Sequence, residues 1–252
     1  MKRNDGDGEQ TCCPVIELRQ YTLHSGQRDI MIELFDREFV ESQEQLGIRM
    51  IGQFRDMDRP DRFVWLRGFS DMETRAKALK AFYGGPIWAA HRTEANATMI
   101  DSSNVLLLRP VRSGTGFRIQ DLKRAPIAAT KIPDTAVVAV IYHLTALSHA
   151  DFLDFFERAI SPAISKAGGP VAACFVTEAS ENTFPALPVR EGENVFVCFS
   201  IFRNFTSHEN YLAKLNQLSE WKQEILPNLQ RWLKCDPEIL RLSPTARSLS
   251  FR

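Results

Sequence analysis

The chain has 252 residues, 44% of them hydrophobic and 25% charged, with Lys+Arg and Asp+Glu balanced at 31 each. That length is large for one domain and comfortable for two. The charge balance excludes a basic field for nucleic acid or anionic lipid, and the composition is that of an ordinary soluble globular chain.

Met1 to Thr11 is polar and Gly-rich, without the apolar stretch of a signal peptide, so residues 1–13 read as a flexible leader. Pro14 to Leu23 alternates and predicts a strand. Ser25 is placed to cap a helix carrying Ile30, Met31, Leu34, Phe35, Phe39 and Leu46 at helical spacing, and Gly47 stops it. Ile48 to Phe54 and Arg62 to Phe69 predict a hairpin turned at Asp56 to Asp61. Ser70-x-x-Glu73 is a capping-box pattern for a helix running to about Tyr83. Gly84-Gly85-Pro86 breaks it, a further helix covers Ile87 to Met99, and Asn104 to Arg109 is the last strand. The order is β-α-β-β-α-β.

After a Gly- and Pro-marked linker over 113–133, the pattern returns. Ala136 to Leu144 predicts a strand, and Ser148-x-x-Asp151 caps a helix carrying Phe152, Phe155, Phe156, Ile160 and Ile164. Pro162 should kink that helix. Val171 to Thr177 and Val195 to Phe202 are strands joined by a long loop, Glu178 to Glu193, without a counterpart in the first half; a lid is the natural expectation. A helical stretch opening at Thr206 and interrupted at Pro227 precedes the strand Pro237 to Leu242. The boundaries expected are 14–112 for the first domain, 134–245 for the second and 246–252 for a tail. The fold class expected is α+β: two tandem ferredoxin-like (βαββαβ) repeats closing an intramolecular pseudo-dimeric α/β barrel.

Strand alternation divides each sheet into two faces. Ile16, Leu18, Val64, Leu66 and Gly68 are assigned to the helix side, leaving Glu17, Arg19, Tyr21, Phe63, Trp65, Arg67 and Phe69 to face the other repeat. Aligning Tyr21 with Tyr142 and Phe69 with Phe205 pairs Arg67 with Arg203 and makes the second repeat an apolar wall of one central site. On these residues alone, an ion-pair network that only fixes packing outweighs a ligand role, since such networks also gather inside interfaces.

The histidines read as solvated (His24), packed or surface (His91), aimed at the helix layer (His143) or exposed in first helical turns (His149, His208), and no metal site is expected. The five cysteines show no metal-ligand rhythm and read as thiols.

The segment Ile16-Glu17-Leu18-Arg19-Gln20-Tyr21-Thr22-Leu23 with Gly26, then Val64 to Phe69 with Ser70, Trp88 and Val105 to Pro110, resembles the NIPSNAP family of the dimeric α/β-barrel superfamily. Phe69 stands where the family pattern has tyrosine, and the second repeat resembles a degenerate member that keeps Tyr142. The resemblance implies ferredoxin-like domains paired into a barrel. Related families house cofactor-independent monooxygenases, isomerases, lyases and haem-handling enzymes, whereas the family itself has no defined reaction.

The resulting expectation is a cytoplasmic protein binding a small, partly aromatic ligand between its repeats, with no cofactor and no membrane or nucleic-acid partner. Further pairing into a homo-oligomer is left open. Arg19 and Arg67 would hold the polar end, Glu17 would orient an arginine or act as a base, and Tyr21 would donate a hydrogen bond; Trp65, Tyr142 and Arg203 complete the lining. A cofactor-independent oxidation or isomerisation is the reaction class expected if the site is catalytic. A non-catalytic interaction protein is the alternative, and haem binding through His91 or His24 ranks last.

Overall fold

The computed structural model describes residues 12–119, 122–145 and 149–249. The leader through residue 11, the Ser148 cap and residues 250–252 lie outside the described residues. In the first repeat, β1 (Val15–Leu23) leads into α1, which runs as Arg28–Leu34, a π-helical turn Phe35–Phe39 and Val40–Glu44. Next come β2 (Arg49–Asp56), β3 (Arg62–Phe69), α2 (Met72–Tyr83), α3 (Pro86–Thr98), a short β4 (Met99–Asp101) and β5 (Val105–Pro110). The second repeat has β6 (Ala136–His143), then α4 as His149–Phe155, a π turn Phe156–Ile160 and Ser161–Lys166. It continues through β7 (Ala173–Thr177), β8 (Val195–Phe202), α5 (Phe205–Leu215), α6 (π turn Trp221–Ile225 with Leu226–Gln230) and β9 (Glu238–Pro244).

Local chemistry explains most boundaries. Gly47 ends α1 at φ +83°, a conformation that costs a side-chain-bearing residue more than glycine. The cap of α1 is Gln27, not Ser25, and it makes no side-chain bond. Asp71, rather than Ser70, caps α2 by accepting from the Thr74 amide at 2.6 Å. Asn204 does the same for α5 through Ser207 at 2.8 Å, two residues before Thr206. Pro162 and Pro227 each fall just after a π turn, where the widened helix meets the residue that cannot donate, so neither helix ends there.

Each repeat has the ferredoxin-like strand order, β2-β3-β1-β5 and β7-β8-β6-β9. The edges then pair across repeats. Phe54 lies opposite Pro244 where β2 meets β9, and Leu108 opposite Thr177 where β5 meets β7. An eight-stranded barrel closes, with β4 added at the end of β1. Closure leaves neither repeat with an unpaired long edge.

The barrel interior is a continuous apolar core drawn from both repeats, including Ile16, Leu18, Val64, Leu66, Val137, Ala139, Phe175, Val197 and Phe199. This reverses the expected faces. Ile16, Leu18, Val64 and Leu66 point into the barrel, and Glu17, Arg19, Tyr21, Trp65 and Arg67 point under the helices of their own repeat. Alternation cannot say which face is which, because both are buried: all eight residues of β3 are buried. The interhalf cavity expected between charged and apolar walls is therefore absent from this place; it is filled with side chains.

The segments expected as linker and tail contribute to this packing. Phe117 packs on Phe175 and Phe199 with ring centroids 5.1 and 5.0 Å apart, and Leu249 joins the same core. Arg247 bonds Glu41 and the Asp36 carbonyl of α1, and Arg124 pairs with Glu44 at 2.8 Å. Cys12 and Cys13 are joined to each other, against the expectation of free thiols, and Cys13 sits over Gly68. A Cβ at position 68 would stand 2.4 Å from its Sγ. Cys174 and Cys198 are buried thiols facing one another across β7 and β8, and Cys235 is free and exposed.

Candidate ligand site

Beneath the helices of the first repeat one carboxylate meets three guanidinium groups. Antiparallel pairing sets Glu17 of β1 opposite Arg67 of β3, and Arg19 opposite Trp65. Glu17 Oε2 accepts from Arg19 Nη1 at 2.8 Å and from Arg67 Nε at 2.7 Å. Its Oε1 accepts from Arg75 Nε at 2.6 Å, across from α2. All four side chains are 0% exposed. Within this cluster, one negative charge stands against three positive ones.

The remaining donors are partly answered. Arg67 Nη1 donates to Gln43 at 2.9 Å, and Gln43 donates in turn to the Phe39 carbonyl of the π turn at 2.9 Å. Arg19 Nε donates to the Tyr21 hydroxyl at 3.1 Å, which leaves the phenol proton free to be donated. Aromatic faces take some of the excess charge: Arg67 lies 5.0 Å from the Trp65 centroid, and Arg19 lies 5.3 Å from Trp65 and 5.4 Å from Tyr21. The Nη2 atoms of Arg19, Arg67 and Arg75 and Nε1 of Trp65 are buried without a partner among the described residues. A cavity of about 30 Å³ is lined by Tyr21, Gln43, Trp65, Tyr83 and Trp88 among others, and none of the three arginines lines it.

Burial opposes the ionisation of Glu17, but Arg67, Arg19 and Arg75 outweigh it and hold the carboxyl well below its ordinary range. Such a group is a poor proton acceptor. Burial pushes the Tyr21 phenol up against the opposing pull of Arg19, so the hydroxyl stays protonated.

The loop 178–193 comes from the second repeat and covers this cluster instead of the barrel mouth. Its Asn182 and Thr183 accept from Arg75 Nη1 at 3.0 and 3.2 Å, and Thr183 donates to the Met72 carbonyl at 3.0 Å. Phe184 stacks on Tyr83 at 5.8 Å. Its stems bond to β5, where the Glu178 amide donates to the Leu107 carbonyl and the Arg190 amide to the Val105 carbonyl, both at 2.8 Å.

Of the residues singled out from sequence, Glu17, Arg19, Tyr21, Trp65 and Arg67 are thus together. Tyr142 and Arg203 are elsewhere. Tyr142 holds the place of Tyr21 in the second repeat, against Phe152 and Phe196. Arg203 is exposed at the bend after β8. Register explains the misplacement: Val15 pairs with Phe69 as Ala136 pairs with Phe202, so Phe202, not Phe205, is the counterpart of Phe69. Ser200 then answers Arg67, and Cys198 answers Trp65. Arg75, Gln43, Asn182 and Thr183 belong to the cluster beyond the residues that the sequence points to. The signal for Arg75 was present, a lone charge on the stripe it shares with Ala78, Leu79 and Phe82.

The histidines do not converge. His24 is exposed, and His91 lies 3.5 Å from Glu38 and 3.7 Å from Glu94. His143 takes the barrel side of β6, opposite to the expected one, and lies 3.5 Å from Glu193. His149 is half-buried, and His208 is buried at 3% exposure instead of exposed. Among the described residues, no group of three or more His, Cys, Asp or Glu could hold a metal ion, and no helix is long and apolar enough to cross a membrane.

Comparison with known proteins finds a family match over the first repeat. Residues 16–113 match the NIPSNAP family model. No curated protein matches the chain. Several solved structures share the whole architecture at low identity. A candidate monooxygenase from Lactobacillus acidophilus NCFM has 10% identity and a TM-score of 0.54, with 95% of this chain and 100% of that one covered. An anthrone oxidase-like protein has 11% identity and a TM-score of 0.55, covering 92% and 91%. A dye-decolorizing peroxidase from Bacteroides thetaiotaomicron VPI-5482 has 9% identity and a TM-score of 0.52, covering 95% of each. At such identities these likenesses concern the fold alone. The first repeat thus matches the NIPSNAP family model over residues 16–113, and a second unit of the same ferredoxin-like strand order closes an α/β barrel with it within one chain.

Proposed function

We propose that the NIPSNAP repeat binds a small, partly aromatic ligand bearing an anionic or ionisable oxygen, under α1 and α2 and beneath the loop 178–193. The observation that carries this is the imbalance of one carboxylate against three buried guanidiniums whose Nη2 atoms lack partners among the described residues. Burying cations without counter-charge is costly, and an incoming oxyanion would relieve it. Glu17 orients the arginines in this reading. Its depressed pKa argues against the alternative role of base. Tyr21 supplies the neutral donor; the cavity beside it, about 30 Å³, admits an oxygen and no more, so a ring has room only once the loop 178–193 moves off the cluster.

The arginines would hold an enolic or phenolic ligand as its anion, the electron-rich form that reacts with dioxygen or shifts a double bond. Cofactor-independent oxygenation or isomerisation is therefore the reaction class we favour, and the candidate monooxygenase among the neighbours in fold supports that choice. The second reading is a non-catalytic interaction protein whose cluster only braces the helix layer. The full engagement of Glu17 and the cation–π contacts favour it.

A melting-temperature screen of the full chain with aromatic carboxylates, phenols and inorganic phosphate separates the two. A compound that raises the melting temperature of the wild type but not of Arg19→Ala supports the ligand site. If no compound shifts it while Arg19→Ala loses several kcal/mol of stability, the bracing role stands instead.

A further inference from the structure

The register that removes Arg203 from the first site also shows what replaced the ion cluster in the second repeat. Val138, Val140, Cys198 and Ser200 occupy the places of Glu17, Arg19, Trp65 and Arg67. Every replacement is smaller than the residue it answers. The space they vacate is open: a cavity of about 320 Å³ lies between this sheet and α5 and α6, walled by Val140, Tyr142, Leu215, Trp221 and Leu229 among others. Cavities that take small organic molecules start at about 300 Å³ and are mostly apolar with a few placed polar groups.

One such polar group is His208. It is 3% exposed, lines the cavity, and its Nδ1 is buried with no hydrogen-bond partner among the described residues. Its ring is held by Phe202 at 5.0 Å and Tyr211 at 6.1 Å. Burial, with Arg241 adding to it, lowers its pKa, so the imidazole is neutral and can donate from one nitrogen and accept at the other. No carboxylate lines the cavity. Its one charged neighbour, Arg241, is paired with Asp58 at 2.9 Å and lies over Phe205.

From these features we infer that the second repeat carries a ligand site of its own, for an uncharged aromatic hydroxy or carbonyl compound of about two fused rings, whose oxygen pairs with His208. The rings replace empty space against the aliphatic and aromatic wall, and the oxygen satisfies an orphaned buried polar atom. Divergence has thus left one repeat polar and nearly closed, and the other apolar and hollow. The two sites stand or fall separately.

Calorimetric titration of the full chain with 2-naphthol tests this. In an Arg19→Ala background, which takes the first site out of the titration, the chain should still bind it, His208→Phe should weaken that binding about tenfold through loss of one hydrogen bond, and Ser200→Phe should abolish it by filling the space. Circular dichroism checks that both variants fold. Since the chain has only five histidines, ring-nitrogen NMR on the unmutated protein supplies a second readout, in which the His208 signal should move on addition of 2-naphthol. The inference is overturned if wild type binds no 2-naphthol up to its solubility limit, or if the His208 signal stays fixed. It is equally overturned if Arg19→Ala loses binding, or if the two variants in the second repeat keep it in full.

Discussion

Glu17 carries the organisation of the first repeat's interior because it is the one anion shared by Arg19, Arg67 and Arg75. Replacing it by glutamine leaves three buried cations facing one another, and Glu17→Gln should cost about 3–5 kcal/mol in urea unfolding. Removing a cation acts in the other direction, so Arg67→Met should cost far less than Glu17→Gln. The carboxyl also predicts a pH dependence. Its folded pKa lies below its ordinary 4.5, so the stability it contributes is complete above that value and is lost as pH falls through and below it. Wild type should therefore lose stability below about pH 4.5, and Glu17→Gln should show a flatter acid limb over the same range.

At the scale of elements, the loop 178–193 ties the two repeats together over the Glu17 cluster. Phe184 and Thr183 are its anchors, on Tyr83 and Met72. Phe184→Ala should free the loop with little loss of global stability, seen as faster amide exchange at residues 180–188 while β1 and β3 keep their protection. Unchanged exchange there would show that the stems alone hold it. In β3, Gly68 allows Cys13 to seat against the strand. Gly68→Ala should displace that segment at a cost of about 1–3 kcal/mol, read as a lowered urea midpoint with unchanged slope.

For the whole molecule, closure is what turns two small units into one stable body. Alone, residues 14–112 would expose the β2 and β5 edges that now pair with β9 and β7, together with the face carrying Ile16, Leu18, Val64 and Leu66. Such a fragment should dimerise through those same edges, and light scattering should return twice its mass. A stable monomer would show that the second repeat is dispensable for folding.

The sequence by itself determined the tandem βαββαβ order, most element boundaries and the membership of Glu17, Arg19, Tyr21, Trp65 and Arg67 in one cluster, because periodicity and strand parity are local properties. Only the tertiary structure decided which face of each sheet meets the helices, since a barrel buries both faces and parity carries no label. The 178–193 loop reaches the candidate site from a distant part of the chain, so no local pattern could assign it there, whereas Arg75 shows locally as a lone charge on an apolar stripe. The alignment of Arg203 with Arg67 failed for a related reason. Residue type matches Phe69 with Phe205, whereas strand pairing sets equivalence by hydrogen-bond register, and that register gives Ser200 and a cavity where a second arginine is expected.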